Sequence, residues 1–195
     1  MKVGQLIVGL LGVLVAAQAL AAPKCDADTF TGEKSCVYAT GSIGLAGIGN
    51  QIMTANGSMF FHRGITRING EPLEIEAILF RVDDSRTLVL PAKHTSRPDV
   101  SCSGRLCTCS WGVAAPISGP VLAELAAAKK LVIAFQGEGQ RIEESQLKRG
   151  GRIFSKFYED IQAHEPSVLT TAQDETQLMV DGQLIPYTPP GETGQ

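Results

Sequence analysis

The sequence predicts a mainly β protein: an antiparallel β-sandwich or small barrel with two short α-helices in its C-terminal half. Three observations lead to this fold class. Short apolar segments recur with a turn signal about every ten residues, as in strands joined by hairpins. Helical periodicity is confined to two segments after residue 117. The alternating strands and helices that a doubly wound parallel sheet requires are missing.

Composition and charge narrow the class of protein. The chain has 195 residues, of which 44% are hydrophobic and 19% are charged, a balance typical of a globular domain. Its net charge is −3 and no basic stripe interrupts the sequence. Because nucleic-acid binding relies on clustered basic side chains, we expect no nucleic-acid partner.

The N-terminus has the pattern of a secretory signal peptide. Lys2 precedes an apolar stretch over 3–17, and Ala19 and Ala21 place small residues before a cleavage site. Cleavage after Ala21 would remove residues 1–21; an uncleaved anchor is the alternative. We therefore expect a periplasmic or secreted protein with no stable membrane span once the signal is removed.

The rest of the chain is predicted to be one secreted β-rich domain over residues 22–187, followed by a disordered tail over 188–195. The tail prediction rests on the polar, proline-containing and glycine-containing end TPPGETGQ.

The cysteines form two groups, one near residue 30 and one near residue 105, and their number, 5, is odd. An oxidising compartment favours disulfides over thiols. The favoured pairs are Cys25–Cys36 and Cys102–Cys107, each closing a short loop that contains glycine. Cys109 is then the odd thiol, which is either buried beside Trp111 or competes with Cys107 for Cys102. Bridges between the two groups are the alternative, and the spacing does not match a paired zinc site.

The strands of the first half are predicted from apolar segments and turn signals, with a loop over 91–101. Asn56-Gly57, Asn69-Gly70 and Asp83-Asp84-Ser85 supply the turns. The predicted strands cover residues 36–48, 59–62, 65–68, 73–82 and 87–90.

A helix is predicted from residue 120 to 130. Ser118 is a candidate N-cap and Pro120 suits the first turn. Leu122 and Leu125 should face the core, whereas Glu124 should point outward. The apolar run 131–135 follows as a buried central strand.

The remaining elements are a second helix and a late hairpin. Ile153, Phe154, Phe157 and Ile161 give residues 152–163 one apolar helical face. Asp181-Gly182 predicts a tight hairpin between strands 177–180 and 183–185.

Motifs that carry chemistry are scarce. No nucleophile elbow, zinc-protease motif or phosphate loop is present in the sequence. A hydrolase would have to combine His94, Asp83 or Asp84, and a hydroxyl such as Ser96. We predict no catalytic residues, no cofactor and no metal ligands.

The order of motifs in the second half is distinctive. A C-x4-C pair is followed by a helix, an apolar strand, a polar turn and an aromatic-faced helix after a Gly-Gly pair. An earlier cysteine pair, Cys25 and Cys36, precedes them. The C-x4-C pair is Cys102 and Cys107, the helix is 120–130, the apolar strand is 131–135, and the Gly-Gly pair is Gly150-Gly151.

Over residues 88–163 this order resembles the invasion-associated locus B family of bacterial periplasmic proteins. The sequence departs from that family in lacking a Trp before the first cysteine, in carrying the extra Cys109, and in having Gly151-Arg152-Ile153-Phe154 where Leu-x-Gly-Phe is expected. The resemblance implies a β-sandwich exported to the periplasm or surface, with no established catalytic residues.

These observations favour a noncatalytic, disulfide-containing domain that binds another macromolecule, such as a protein or an envelope component. A function in the envelope or in contact with a host is consistent with export. The alternatives are a periplasmic hydrolase and a carrier of a small apolar ligand. The hydrolase requires a catalytic set in a cleft, and the carrier requires an enclosed apolar pocket.

Overall fold

The computed structural model describes residues 23–27, 29, 31–39, 50–143, 150–170 and 175–191. The predicted signal peptide lies outside these residues, as do positions 40–48 of the predicted strand 36–48. In chain order the elements are β1 (Lys24–Ala27), β2 (Lys34–Ala39), β3 (Gln51–Ala55), β4 (Ser58–Ile68), β5 (Ala77–Val82), β6 (Arg86–Pro91), β7 (Lys93–His94), β8 (Asp99–Ser103), β9 (Leu106–Pro116), α1 (Gly119–Ala127), β10 (Leu131–Gly137), β11 (Gln140–Glu143), α2 (Gly150–His164), a 3-10 helix (Pro166–Thr170), β12 (Gln177–Val180) and β13 (Gln183–Pro186).

The strands form two antiparallel sheets, which confirms the predicted mainly β class. In the first sheet the order is β1-β2-β3-β4-β9, and both β7 and β8 pair with β9. In the second sheet the order is β11-β10-β5-β6-β12-β13. Neither sheet closes on itself within the described residues, so the architecture is the sandwich rather than the barrel.

Aromatic packing joins the two sheets and the second helix. Phe61 of the first sheet meets Phe80 of the second edge to face, with ring centroids 5.3 Å apart. Phe154 of α2 lies 5.8 Å from Phe61 and 5.6 Å from Phe80. All three side chains are fully buried. The helix face predicted from the sequence therefore closes one side of the core.

Helix α1 begins as predicted. The Ser118 side chain accepts a hydrogen bond from the backbone N–H of Val121, and Pro120 lies in the first turn. Leu122 and Leu125 are fully buried. The following strand β10 covers the predicted run 131–135 and lies between β5 and β11, within the second sheet.

The predicted outward orientation of Glu124 is wrong. Glu124 is only 8% exposed. Its carboxylate accepts a hydrogen bond from the Tyr187 hydroxyl at 2.9 Å and forms an ion pair with Arg86, Nε to Oε1 3.1 Å. Helical spacing alone could not reveal these partners, because they come from strand β6 and from the segment after β13.

Three of the predicted tight turns form with the left-handed backbone that their residues favour. Asn56 and Gly57 join β3 to β4, Asp83 and Asp84 join β5 to β6, and the Asp181-Gly182 turn joins β12 to β13. Asx residues and glycine tolerate positive φ at low cost, which explains why these sequence signals are reliable.

Two expectations about the middle of the chain need correction. Asn69-Gly70 does not join two paired strands, because β4 pairs with β9. The predicted strand 73–82 begins only at Ala77, as β5. The predicted loop 91–101 contains the short strands β7 and β8. The sequence did not predict strand β9. This strand pairs with β4, β7 and β8, which explains why β4 has no hairpin partner after Asn69-Gly70 and why the predicted loop contains strands.

The segment after β13 contacts the domain at the start of the predicted tail. Arg86 donates a hydrogen bond to the carbonyl oxygen of Thr188, the first residue of the predicted tail. Residues 192–195 lie outside the described part. Among the described residues, no helix has the length and apolar character needed to cross a membrane.

Candidate functional site: a cross-linked finger and an adjacent cleft

The end of the first sheet extends as a three-stranded finger. We define the finger as Thr66–Ile68 of β4, Asp99–Ser103 of β8, and residues 106–110 of β9, with Gly104-Arg105 as its turn. Strand β9 lies in the middle and pairs with β4 on one side and with β8 on the other. Every residue of β8 is exposed. The β8 side and the turn of the finger therefore extend beyond the core, whereas Cys109 of β9 is buried in it.

The finger carries large apolar side chains in solvent. Ile68 is 64% exposed, Val100 is 59% exposed and Leu106 is 52% exposed. Ile68 lies opposite Thr108, two residues from Leu106 on β9, so Ile68 and Leu106 share one face. Val100 lies opposite Cys109 and belongs to the other face. Ile68 and Leu106 therefore form an exposed apolar patch on one face, and such patches are typical of interaction sites.

Covalent and hydrogen-bonded links hold the finger together. The predicted disulfide Cys102–Cys107 is present and joins residues directly opposite each other on β8 and β9. Asn69 extends the pairing of β4: its N–H donates to the Cys107 carbonyl at 2.7 Å, and its Oδ1 accepts from the Cys107 N–H at 2.9 Å. The Thr66 and Ser110 hydroxyls lie 2.9 Å apart. The apolar side chains are thus presented on a constrained backbone.

The other predicted disulfide is also present. Cys25 and Cys36 lie opposite each other on β1 and β2, at the far edge of the same sheet. Cys109 is the free cysteine of the described residues and is buried. The predicted pairing and the predicted odd thiol both agree with the structure.

A cleft of about 570 Å³ lies beside the base of the finger. Its wall is formed by the connection from β4 to β5, by the segment between β7 and β8, and by the turn after β10. Six of the nine lining residues are polar or charged, and the cleft is open to solvent, unlike the enclosed apolar pocket that a carrier requires. The lining residues are Pro72, Leu73, Glu74, His94, Thr95, Ser96, Arg97, Pro98 and Glu138.

The segment between β7 and β8 rests on strand β9 at Gly112. The Thr95 N–H donates to the Gly112 carbonyl at 2.9 Å, and the Ser96 hydroxyl accepts from the Gly112 N–H at 2.9 Å. A Cβ at Gly112 would collide with the Thr95 hydroxyl. Glycine at this position therefore permits the close approach that shapes the cleft.

His62 adds a further polar group on the same face. Its Nε2 lies 3.1 Å from the Thr95 hydroxyl. Burial lowers the pKa of His62 below the usual value of a histidine, so the neutral ring predominates at neutral pH. This pair ties the Thr95 segment to β4 and links the cleft to the base of the finger.

The structure brings together only part of the hypothetical hydrolase set. His94 and Ser96 both line the cleft, but His94 Nε2 accepts a hydrogen bond from the Ile75 N–H at 2.9 Å. That nitrogen is occupied and does not act as a base toward Ser96.

The aspartates of that set lie at the opposite end of β5 from His94. Asp83 accepts hydrogen bonds from the backbone N–H groups of Lys129 and Lys130, at 2.9 and 2.7 Å. Asp84 forms an ion pair with Lys130 at 2.7 Å. Six residues of strand separate them from the start of β5, about 20 Å at 3.3 Å per residue. Their positions match the structural role of a charged turn.

The exposure of Ile68, Val100 and Leu106 was not predicted from the sequence. A signal was present: Gly104-Arg105 is a two-residue turn flanked by alternating Ser and Cys, and such a pattern predicts a hairpin. The exposure of these side chains could not be predicted in the same way, because it depends on how far β4 and β9 extend past the core.

Comparisons with protein families, with curated proteins and with solved structures give no match to this chain. Among the described residues, no group of three or more His, Cys, Asp or Glu side chains is arranged to hold a metal ion.

Proposed function

We propose that this protein is a noncatalytic, exported β-sandwich domain that binds a protein or envelope component through the apolar side chains of the finger. The periplasm or the cell exterior is the proposed location, in line with the signal-like N-terminus and the resemblance to the invasion-associated locus B family. Two disulfides agree with an oxidising compartment.

The observation that carries this proposal is the exposure of Ile68, Val100 and Leu106 on a cross-linked backbone. Leaving a large apolar side chain in water forgoes about 1.5–3 kcal/mol that burial would supply. Because the finger is already ordered, a partner that covers it loses less conformational entropy than one that binds a flexible loop. An apolar groove on a macromolecule is the complementary surface.

The polar cleft beside the finger supports an auxiliary contribution rather than a separate activity. Arg97 and Glu138 line the cleft near its exposed rim, where polar contacts orient a partner. The apolar faces of the finger supply the affinity in this arrangement.

The chain offers a matched control for a binding experiment. Leu184, on edge strand β13 of the other sheet, is 52% exposed, the same fraction as Leu106. Leu106→Ser and Leu184→Ser therefore remove equal apolar exposure from different surfaces. The wild-type chain and both variants would be immobilised and incubated with solubilised envelope from the source cells, and retained proteins quantified by mass spectrometry.

We expect a partner that the wild type and Leu184→Ser retain equally and that Leu106→Ser retains about tenfold less, which corresponds to about 1.4 kcal/mol. Equal retention by all three chains, or a loss confined to Leu184→Ser, would overturn the assignment of the finger as the binding surface.

A further inference from the structure

Three sulfur atoms share one face of the β8–β9 ladder. Cys107 and Cys109 are two residues apart on β9, and side chains two apart point to the same side of a strand. Cys102 lies directly opposite Cys107 and therefore also faces that side. Cys109, a buried free thiol, lies on the core side of the disulfide.

Cys102 has two potential partners on this face. Its Cα lies 4.0 Å from the Cα of Cys107 in the existing disulfide. Cys109 is the diagonal neighbour, and such neighbours have Cα atoms about 7–8 Å apart. Disulfides span at most about 6.8 Å. A Cys102–Cys109 bond therefore requires β8 to move along β9.

We propose that this cluster performs an internal thiol–disulfide exchange in which the finger switches between a Cys102–Cys107 and a Cys102–Cys109 form. The Cys109 thiolate attacks Sγ of Cys102, the Cys109–Cys102 bond forms, and the Cys102–Cys107 bond breaks. Cys107 leaves as a thiolate and takes up the proton that Cys109 lost to water. Oxidation state is conserved, so no external oxidant or reductant is required.

The strand that must move is held to the domain by a single neighbouring strand. All five residues of β8 are exposed, and β8 pairs with β9 alone. A slip of two residues brings Cys102 opposite Cys109 and keeps every side chain of β8 on its original face. A one-residue slip would reverse the faces, so the spacing of Cys107 and Cys109 suits the exchange.

The slip has consequences at both ends of β8. At the tip, the two-residue turn becomes a four-residue loop, 104–107, which takes Leu106 out of the ladder and releases the Cys107 thiol. At the base, Asp99 moves from opposite Ser110 to opposite Gly112, the residue on which Ser96 now rests. The exchange therefore changes both the apolar face of the finger and the neighbouring cleft.

Trapping the released thiol tests the exchange directly. The full oxidised chain would be incubated with N-ethylmaleimide at about pH 8, because the thiolate is the nucleophile both in the exchange and in alkylation. Trypsin cuts after Lys93, Arg105 and Lys129, and fragmentation of the linked peptides then distinguishes a label on Cys107 from one on Cys109.

We expect label on Cys107 together with a Cys102–Cys109 bond. The variant Cys109→Ser should give no label on Cys107, and the Cys25–Cys36 pair, which has no third cysteine on its ladder, should remain unlabelled. Label confined to Cys109 in the wild type would overturn the proposal.

The variant Cys107→Ser provides a second test of the geometry. If the exchange form exists, the folded variant closes a Cys102–Cys109 disulfide in air, and its circular dichroism matches that of the wild type. Should the folded variant keep both thiols free, the two-residue slip does not occur and the proposal is wrong. Neither test requires the proposed binding partner. Failure of the exchange proposal would therefore leave the proposed binding function to be judged by its own experiment.

Discussion

Each of the two edges of the first sheet is joined to its neighbouring strand by a disulfide. Strand β1 at one edge and strand β8 at the other are exposed at every residue. Each is joined to its neighbour by a disulfide between directly opposed cysteines, Cys25–Cys36 and Cys102–Cys107, and both pairs have Cα atoms 4.0 Å apart. The two edges differ in how far the strands beside each disulfide contact the core.

The N-terminal edge is anchored to the core, whereas the finger extends away from it. Cys36 is fully buried, and the neighbouring Tyr38 donates a hydrogen bond to Glu165 at 2.9 Å. Thr54 donates to the same carboxylate oxygen at 2.6 Å, and Lys34 lies 3.7 Å from the other oxygen. These contacts tie β2 and β3 to the end of α2. One cross-link thus closes a core, and the other supports an exposed surface.

The largest effect is expected in helix α1, which packs against α2, the helix that contacts β2 of the anchored edge. Leu125→Ala leaves a cavity where a fully buried side chain packed, and should lower the free energy of unfolding by about 2–5 kcal/mol. Glu124→Ala should cost about 1–3 kcal/mol, because it leaves Arg86 and Tyr187 without their buried acceptor. Urea denaturation measures both. An effect of Glu124→Ala near zero would contradict the buried position of this carboxylate.

The two disulfides should differ in their contribution to stability. The sequence separations are 11 for Cys25–Cys36 and 5 for Cys102–Cys107. The chain-entropy relation then gives about 3 kcal/mol for the first and about 2 kcal/mol for the second. Replacing each pair by alanines and measuring urea unfolding compares them. A larger loss from the finger pair would mean that the finger, and not the N-terminal edge, is the more strongly coupled to the core.

Alkaline pH should weaken the anchored edge specifically. Burial, followed by the hydrogen bond to Glu165, raises the pKa of Tyr38 above the ordinary tyrosine value. Folding therefore favours the neutral phenol. Its stabilising contribution is complete below about pH 10, where unfolded tyrosine titrates, and is lost as the pH rises further, by up to about 1.4 kcal/mol per pH unit.

Denaturation across this alkaline range should show that slope in the wild type and in the control Tyr158→Phe. The variant Tyr38→Phe should lack it. A slope unchanged by Tyr38→Phe would place the alkaline sensitivity elsewhere in the molecule.

The smallest effect on stability is expected at the tip of the finger. Ile68→Ser and Leu106→Ser change side chains that are more than half exposed, and each should alter the free energy of unfolding by less than about 0.5 kcal/mol. Thermal melts would check this. A substantial loss of stability would show that these side chains contribute to folding, which would weaken their assignment to binding.

Sequence patterns predicted the parts of this fold that depend on local chemistry. The Ser118 cap, the Asp181-Gly182 turn and the aromatic face of α2 are each determined by residues within a few positions of one another. Short cysteine spacing likewise favoured the two disulfides, because each closes a short loop that contains glycine.

Long-range pairing was not predictable in this way. Strand β9 contains Gly112, alanines and polar residues, and its apolar alternation is too weak to be recognised along the sequence. Its longest pairing is with β4, which lies far from it in sequence. The finger and the cleft both depend on β9, so the candidate site was largely hidden even though its cysteines and His94 were noted.

The central claim is that the finger's cross-link supports binding while the N-terminal cross-link supports folding. Retention of the envelope partner by the two double-alanine variants, at a temperature where both remain folded, tests this most directly. The account predicts that Cys102→Ala/Cys107→Ala retains about tenfold less partner than the wild type, whereas Cys25→Ala/Cys36→Ala retains the wild-type amount. Equal retention by the two variants, or a loss confined to Cys25→Ala/Cys36→Ala, would contradict it.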